Sequence, residues 1–303
     1  MLLRQLFDQD TWTYTYLLAD PDSREAIIID PVIGRVERDL KLIAELGLEL
    51  LYTLDTHVHA DHVTASGKLR QRTGAISGVA AAAGVACADH LLVHGDVLQF
   101  GRYVLKVRST PGHTKGCLTF VLAADGETMA FTGDALFIRG CGRTDFQQGD
   151  SSTLYRSVHD QIYSLPADTV VYPGHDYRGH RASTVAEEKA HNQRLNTDID
   201  ESEFVGIMEN LNLAHPKQIH EALPRNMACG LKTVSDRDSL APPPKEVRAG
   251  SEALDGVGRV VDVRSPEEFE GKLGHLPLAV LAPLPNLAKY AKSWPRDETV
   301  LVV

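Results

Sequence analysis

Cysteine is scarce in this sequence, with only four residues among 303. The four are Cys87, Cys117, Cys141 and Cys229, and they form no C-x-x-C pair. Structural zinc knuckles and disulfide frameworks both depend on closely or regularly spaced cysteines, so the spacing argues against either. A protein kept in a reducing compartment fits this usage, and we expect a cytoplasmic one.

The sequence also lacks an excess of basic charge and any long apolar run. The chain carries 31 basic and 41 acidic residues, a net charge of -10, whereas a nucleic-acid binder needs a basic face. No run approaches the ~20 apolar residues of a membrane helix, and the N-terminal MLLRQLFDQDTW turns acidic too soon for a secretory signal. We therefore expect a globular protein with neither nucleic acid nor a membrane as its partner.

Strand-like and helix-like patterns alternate over the first two thirds of the chain. Runs typical of strands lie at 25–30, 48–56, 96–109 (two strands around a Gly-Arg turn), 118–122, 128–132 and 169–172. Helical periodicity lies at 36–46, 152–165, 183–192 and 202–211. Strands with helices before, between and after them predict two sheets in a layered α/β sandwich.

A change of composition divides the chain. Residues 241–250 read APPPKEVRAG, and three consecutive prolines neither continue a helix nor donate to a sheet. We therefore predict a first domain over 1–240, a Pro-rich linker over 241–250 and a second domain over 251–303. The second domain is too short for a good core of its own and ends on a strand-like run, so we expect it to be incomplete.

The strongest functional signal is the run His57-Val58-His59-Ala60-Asp61-His62, which follows a predicted strand. A single histidine is more often a hydrogen-bonded core or surface residue, but three imidazoles and a carboxylate within six positions are a ligand set for zinc or iron. Three later turns each place one ligand-type side chain directly after a glycine, namely His113, Asp134 and His175. Because glycine permits sharp bends, each turn could aim its ligand inward, and the sequence predicts a metal site.

With these motifs the sequence resembles the metallo-β-lactamase superfamily over about residues 1–235, which implies an αββα sandwich. Within that superfamily it resembles the persulfide dioxygenases, through IRGCGRTDFQQG at 138–149, YPGHDY at 172–177, NQRL at 192–195 and NLNL at 210–213. The resemblance implies oxidation of glutathione persulfide by O2 to sulfite and glutathione, at one Fe(II) per chain. It leaves the oligomeric state open, a homo-oligomer included.

The same resemblance assigns roles to the candidate ligands. His57, His113 and Asp134 would bind iron, because a two-His one-carboxylate face leaves positions open for substrate and O2. A supporting shell of hydrogen-bonding residues would consist of His59, Asp61, His62, His175 and Asp176, and an ordinary turn residue is the other interpretation of Asp176. Alternatively, Asp61, His62 and His175 hold a second metal that shares Asp134, as in a binuclear zinc thioester hydrolase of the glyoxalase II type.

Substrate binding is expected from arginines, since glutathione persulfide carries two carboxylates. The family pattern places Arg143, Tyr177 and Arg194 near the glutathione arm, and guanidinium groups suit carboxylates. Cys141 lies between two glycines beside Arg143. We interpret it as a packing residue, because no histidine base is adjacent in sequence and nothing indicates a lowered thiol pKa.

Beyond the linker, VDVRSPEEF at 261–269 and GHLP at 274–277 resemble the start of a rhodanese sulfurtransferase domain. That implies a partial α/β rhodanese-like domain that moves sulfane sulfur between thiosulfate, sulfite and glutathione. No cysteine follows Cys229, so the catalytic thiol of that family is absent here and Asp262 and Arg264 would be supporting residues only. A third interpretation, favoured by the missing thiol, is a metal-stabilised binding module without activity.

Overall fold

The chain divides into two compact units, Met1–Pro242 and Pro243–Val303. The computed structural model describes residues 1–211, 218–231, 259–262, 280–281 and 300–302. The predicted linker at 241–250 lies outside these residues, as does Arg264. No helix within the described part of the chain is long and apolar enough to cross a bilayer.

The first unit begins with a mixed six-stranded sheet. Its strands, in spatial order, are β1 (Leu2–Asp8), β2 (Thr13–Ala19), β3 (Glu25–Ile29), β4 (Glu49–Leu54), β5 (Ile76–Ala80) and β6 (His90–Leu92). The β1–β2 and β2–β3 pairs are antiparallel, and the pairs from β3 to β6 are parallel. Helices α1 (Val36–Glu45) and α2 (Ser66–Thr73) provide the crossovers from β3 to β4 and from β4 to β5.

A second six-stranded sheet follows. Its strands are β7 (Val97–Phe100), β8 (Tyr103–Ser109), β9 (Leu118–Ala124), β10 (Glu127–Gly133), β11 (Val170–Pro173) and β12 (Ser183–Thr184), in the order β12-β11-β10-β9-β8-β7. Only its β10–β11 pair is parallel. The remaining helices of this unit are α3 (Ser151–Ser157), α4 (Val185–His191), α5 (Glu201–Glu209) and α6 (Ile219–Asn226).

Three apolar clusters explain why the elements stack in layers. Tyr16 of β2 and Phe120 of β9 belong to one cluster between the two sheets and are 1% and 0% exposed. Leu69 of α2 packs with strand residues on the outer face of the first sheet, and Phe204 of α5 does so on that of the second. Burial of each such side chain stabilises the fold by about 1.5–3 kcal/mol. The helix–sheet–sheet–helix order confirms the predicted metallo-β-lactamase sandwich.

Several local predictions need correction. Strands β1 and β2 were not predicted, although β2 is buried along its whole length. The helix predicted at 152–165 is α-helical only to Ser157 and continues as a π-helical turn over Val158–Ile162. The helix predicted from 183 begins at Val185, because Ser183 and Thr184 pair with β11. Thr184 then caps α4, its hydroxyl accepting from the main-chain N–H of Glu187.

The cysteine spacing argued against a disulfide framework, but two of the four cysteines do pair. Cys87 and Cys229 form a disulfide, although 142 positions separate them in sequence. Cys87 precedes β6 and Cys229 follows α6, and the fold brings their Cα atoms to 6.1 Å. Sequence spacing could not reveal this contact, because it depends on where α6 packs. Cys117 and Cys141 are buried free thiols.

In the second unit, three short strands form a parallel sheet. They are β13 (Arg259–Asp262), β14 (Val280–Leu281) and β15 (Val300–Val302), in the order β14-β13-β15. Two of these strands, β13 and β15, were predicted. The side chain of Asp262 is buried at the end of the central strand. A parallel sheet is typical of an α/β domain, and the rhodanese assignment stays a prediction.

Candidate metal centre

The candidate ligands lie just after strand ends in the first unit. His57 follows β4 of the first sheet, Asp134 follows β10 directly, and His175 follows β11. His113 lies in the connection from β8 to β9. Because the two sheets face each other, these strand ends deliver side chains from both sheets to one place.

His57, His113 and Asp134 form a compact group. Each offers one ligand atom, and the three atoms lie within 4.8 Å of one another. All three residues are buried, and the Nε2 atom of His113 lies 3.5 Å from Oδ2 of Asp134. The structure therefore brings together the three residues that the family resemblance marks as iron ligands.

Hydrogen bonds set the tautomers of both imidazoles. The Thr56 hydroxyl donates to Asp30, so its oxygen is left to accept from Nδ1 of His57, 3.0 Å away. Nδ1 of His113 donates to the main-chain oxygen of Arg143 over 2.6 Å. In each ring the Nε2 lone pair is then free for a metal. Burial, with His59 beside it, lowers the pKa of His57 well below its ordinary value, which keeps the imidazole neutral and able to bind.

The carboxylate of Asp134 fits a bound cation. Its Oδ1 atom is buried and has no hydrogen-bond donor in the described part of the chain. An unpaired buried carboxylate oxygen is costly, because it loses its hydration without compensation. A cation held jointly by this carboxylate and the two imidazoles would remove that cost, and such a donor set suits iron or zinc.

A second group of possible ligands lies beside the first. One ligand atom each from His59, Asp61 and His175 lies within 4.8 Å of the others, and Nε2 of His175 is 3.5 Å from both Asp61 Oδ2 and Asp134 Oδ1. His62 is outside this group, although its Nδ1 lies 3.0 Å from Asp61 Oδ2 and its buried Nε2 has no hydrogen-bond partner among the described residues. The group thus contains His59 in the place expected for His62.

Buried residues that the sequence did not single out hold this second group. Oδ1 of Asp30 lies 3.1 Å from Nε2 of His59 and accepts the main-chain N–H of Thr56 over 2.7 Å. Burial raises the pKa of Asp30 to about 6. Nδ1 of His175 donates to the main-chain oxygen of Trp12 over 3.2 Å. The available signal was the position of Asp30 at the end of a predicted strand.

Helix α6 holds the ligand loop, the segment 59–64 that carries His59, Asp61 and His62. The side-chain amide of Asn226 donates to the main-chain oxygens of His59 and His62, both over 2.8 Å, and its oxygen accepts from Thr64 N. Three main-chain contacts from one buried side chain fix the path of residues 59–64. No motif in the sequence points to Asn226, since its partners lie more than 160 positions away.

Two glycines are required by the packing of the centre. Gly133 has a φ of +50°, and a Cβ there would lie 2.5 Å from the Thr56 hydroxyl. At Gly142 a Cβ would lie 2.4 Å from the Asp134 main-chain oxygen and 2.9 Å from Nδ1 of His113. A larger residue at either position would displace the groups that carry or orient the ligands.

A cleft of about 610 Å³ opens onto the group, and its lining includes Trp12, Asp61, His113, Asp134, Arg143, His175, Asp176, Tyr177 and Arg194. Nη1 of Arg194 donates to the Cys141 main-chain oxygen over 3.2 Å, and no carboxylate of the described residues lies within 4.0 Å of its guanidinium. Arg143 is instead paired with Asp145 through two contacts of 2.6 Å. Of the two arginines, Arg194 is the one whose charge the described carboxylates leave uncompensated.

Asp176, Tyr177 and Cys141 are the remaining candidates. Oδ2 of Asp176 accepts the main-chain N–H groups of Arg178 and His180, so this carboxylate holds the turn that carries the 61%-exposed Tyr177. Cys141 is buried against Met208, and burial raises the pKa of its thiol to about 11. A thiol that stays protonated at neutral pH is a poor nucleophile, which favours the packing interpretation.

The fold and this group of histidines and aspartates define a class of protein. The family model of the metallo-beta-lactamase superfamily matches residues 13–175, and the chain belongs to that superfamily. Within it, the chain is a homologue of the ETHE1 persulfide dioxygenases. It is 54% identical to human "Persulfide dioxygenase ETHE1, mitochondrial" over 233 residues, which cover 77% of this chain and 90% of the human protein.

A solved structure and a second kind of relative support this placement. The crystal structure of ETHE1 from Myxococcus xanthus is 50% identical with a TM-score of 0.73, over 76% of this chain and 100% of that chain. A hydroxyacylglutathione hydrolase from Polaromonas sp. is 36% identical over 167 residues, 54% of this chain and 62% of that protein. The likeness to the hydrolase is the weaker one in both identity and extent.

Proposed function

We propose that this chain is an iron-dependent persulfide dioxygenase that converts glutathione persulfide, O2 and water into glutathione and sulfite. The overall change is GSSH + O2 + H2O → GSH + H2SO3, in which the terminal sulfur is oxidised and both oxygen atoms of O2 are reduced. The observation that carries the proposal is the compact group of His57, His113 and Asp134 in a chain 54% identical to a named persulfide dioxygenase.

The protein's own contribution is to hold the metal and to orient its ligands. One Fe(II) held by His57, His113 and Asp134 would supply the electron transfer between sulfur and O2. The Arg143 carbonyl and the Thr56 hydroxyl keep the two imidazoles in the tautomer that binds through Nε2. The side chains that surround these three ligands, with their partners Asp30 and Asn226, keep the ligand loop in place, which affects metal affinity by about 10–100-fold in comparable sites.

Substrate recognition is assigned to the cleft. Glutathione persulfide presents two carboxylates, and the Arg194 guanidinium offers donors for one of them. Arg143 contributes through a charge that Asp145 already balances in part. Tyr177 lines the same cleft, and its ring stacks on that of His175 with the ring centroids 6.1 Å apart.

The proposal is tested by oxygen uptake. The protein loaded anaerobically with Fe(II) should retain one iron per chain. It should consume one O2 per glutathione persulfide, with sulfite as the product. The same protein loaded with Zn(II) is the control and should consume none, because zinc is not redox-active. Stoichiometric iron without oxygen uptake would overturn the proposal.

A second candidate is the binuclear thioester hydrolase. It is favoured by the group of His59, Asp61 and His175, which adjoins Asp134 and provides donors for a further metal. This alternative predicts two zinc ions per chain and cleavage of a glutathione thioester without oxygen uptake. Metal analysis on the same preparation therefore separates the two candidates.

We further propose that residues 251–303 form a rhodanese-like domain, joined by a linker at 241–250 to a dioxygenase domain over 1–240. The parallel strands around β13 and the buried Asp262 support it. Arg264 would support the same domain. Because no cysteine follows Cys229, residues 251–303 should not transfer sulfur from thiosulfate to glutathione. Sulfur transfer by this chain would show that a group other than a cysteine of this domain carries the sulfur.

A further inference from the structure

Trp12 occupies an unusual position at the mouth of the cleft. Its φ is +59°, in the left-handed region that bulky residues avoid, and its side chain is 47% exposed. It is among the residues that line the cleft. A strained backbone that presents a large, half-exposed ring at the mouth of a cleft is typical of positions that contact a ligand.

The indole belongs to a row of aromatic rings. His175 of the second ligand group stacks with Tyr177, the rings lying 6.1 Å apart and 11° from parallel. The Tyr177 ring is 6.1 Å from that of Trp12, which lies 6.1 Å from Phe7. The row runs from buried His175 to the surface, and its exposed members in the cleft lining are Trp12 at 47% and Tyr177 at 61%. It forms an aromatic wall of the cleft, whose lining also includes Phe137, Arg143 and Arg194.

The main chain of Trp12 also reaches the centre. Its carbonyl oxygen accepts from Nδ1 of His175 over 3.2 Å and from the main-chain N–H of Asp176 over 3.4 Å. In this left-handed conformation the Trp12 carbonyl faces His175, while the indole ring lies along the cleft.

We propose that Trp12 is a specificity-determining residue, whose indole packs against the peptide arm of a persulfide carried on glutathione and so favours it over smaller persulfides. The inference rests on the proposed function. Planar amide groups and methylene carbons stack well on an aromatic face, while Arg194 in the same cleft provides the charge for a terminal carboxylate. A persulfide without a peptide arm, such as cysteine persulfide, would not contact the Trp12 indole.

Binding is measured without any reaction. Trp12 and Trp294 are the two tryptophans of the chain, so Trp294→Phe leaves Trp12 as the only indole fluorophore. Titration with S-methylglutathione, which cannot react, should produce a saturable change in its emission. S-methylcysteine is the matched control and should produce none at the same concentrations. An emission that does not respond to S-methylglutathione would overturn the proposal.

The kinetic test uses Trp12→Gly, because glycine accepts a φ of +59° and keeps the carbonyl that binds His175. KM for glutathione persulfide should rise about three- to tenfold, the effect of losing one good aromatic contact, with kcat within about twofold. KM for cysteine persulfide should not change. Trp12→Phe, which keeps a ring, should recover most of the difference.

A merely structural role would give different results. It would lower the unfolding temperature or the iron content of Trp12→Gly and would change both substrates alike, which overturns the proposal. The proposed function fails separately, if the parent protein takes up no O2 with glutathione persulfide. In that event the fluorescence titration still decides whether a glutathione arm lies on Trp12.

Discussion

Nδ1 of His113 lies 2.6 Å from the main-chain carbonyl oxygen of Arg143. This contact joins a candidate ligand to the segment that bears a candidate substrate-binding side chain. A carbonyl oxygen can only accept a hydrogen bond, so the proton of His113 lies on Nδ1. The unprotonated Nε2 then faces Asp134. The 138–149 segment therefore orients a candidate ligand through its main chain and also carries Arg143, a proposed substrate-binding residue.

Asp134→Asn should abolish stoichiometric metal binding. Asparagine keeps the shape of the side chain but removes the negative charge that two neutral imidazoles need as a complement. Metal content after gel filtration of the iron-loaded protein measures the effect. Asp145→Asn, which alters an exposed aspartate outside the group, is the control and should keep its iron. One iron per chain in Asp134→Asn would remove Asp134 from the ligand set.

Gly142→Ala should lower metal affinity by about tenfold or more, as for other changes that misplace a ligand's support. The added methyl group would lie 2.9 Å from Nδ1 of His113 and 2.4 Å from the Asp134 carbonyl, so one of them must move. The matched control is Gly206→Ala, since no atom lies within 4 Å of a Cβ in that helical position. Alanine there should preserve affinity and stabilise α5 by up to about 1 kcal/mol. Equal metal affinity in the two variants would contradict the close packing described here.

The sequence predicted the parts of the centre that are local in the chain. The histidines of residues 57–62 stand together, and His113, Asp134 and His175 each follow a glycine, so ligand types and turns were visible without a structure. The metallo-β-lactamase sandwich followed from the resemblance that these motifs carry. Strand β2 was missed although Thr13-Tyr14-Thr15-Tyr16 alternate and are β-branched and aromatic types that favour strands.

Partners that are remote in sequence could not be predicted. Asn226 and the Trp12 carbonyl touch the centre only because α6 and the β1–β2 turn pack there. For the same reason the Cys87–Cys229 disulfide was missed. The Arg143–Asp145 pair joins neighbours in sequence, but spacing alone does not decide whether a guanidinium turns to a neighbour or to a substrate.

Arg194→Ala should raise KM for glutathione persulfide by about tenfold or more, the usual effect of losing a charged hydrogen bond, with iron content unchanged. The effect of Arg143→Ala should be smaller, because Asp145 already neutralises much of that charge. Steady-state oxygen uptake over a range of persulfide concentrations provides both values. An unchanged KM in Arg194→Ala would remove this residue from the substrate site. A larger effect at Arg143 would show that its pair with Asp145 opens on binding.

The free thiols should be inert in the folded protein at pH 8. Burial raises the pKa of Cys141 to about 11 and that of Cys117 to about 12, against an ordinary value of 9.0. An aromatic disulfide reagent should therefore detect no thiol in the native chain and two after denaturation without reductant. Since the folded pKa values are raised, their contribution to stability is present below pH 9 and is lost as pH rises toward 11. Rapid native-state reaction at pH 8 would contradict the burial of Cys141.

Cys87→Ser should lower the free energy of unfolding by about 2–5 kcal/mol, because it opens the covalent link between α6 and the segment before β6. Metal affinity should fall as well, since Cys229 follows Asn226, the residue that holds the His59 and His62 carbonyls. Denaturant unfolding and metal competition measure the two effects. Reductant should destabilise the parent protein and leave Cys87→Ser unaffected, which separates the disulfide from any packing change. A parent protein indifferent to reductant would show that the link does not support the ligand loop.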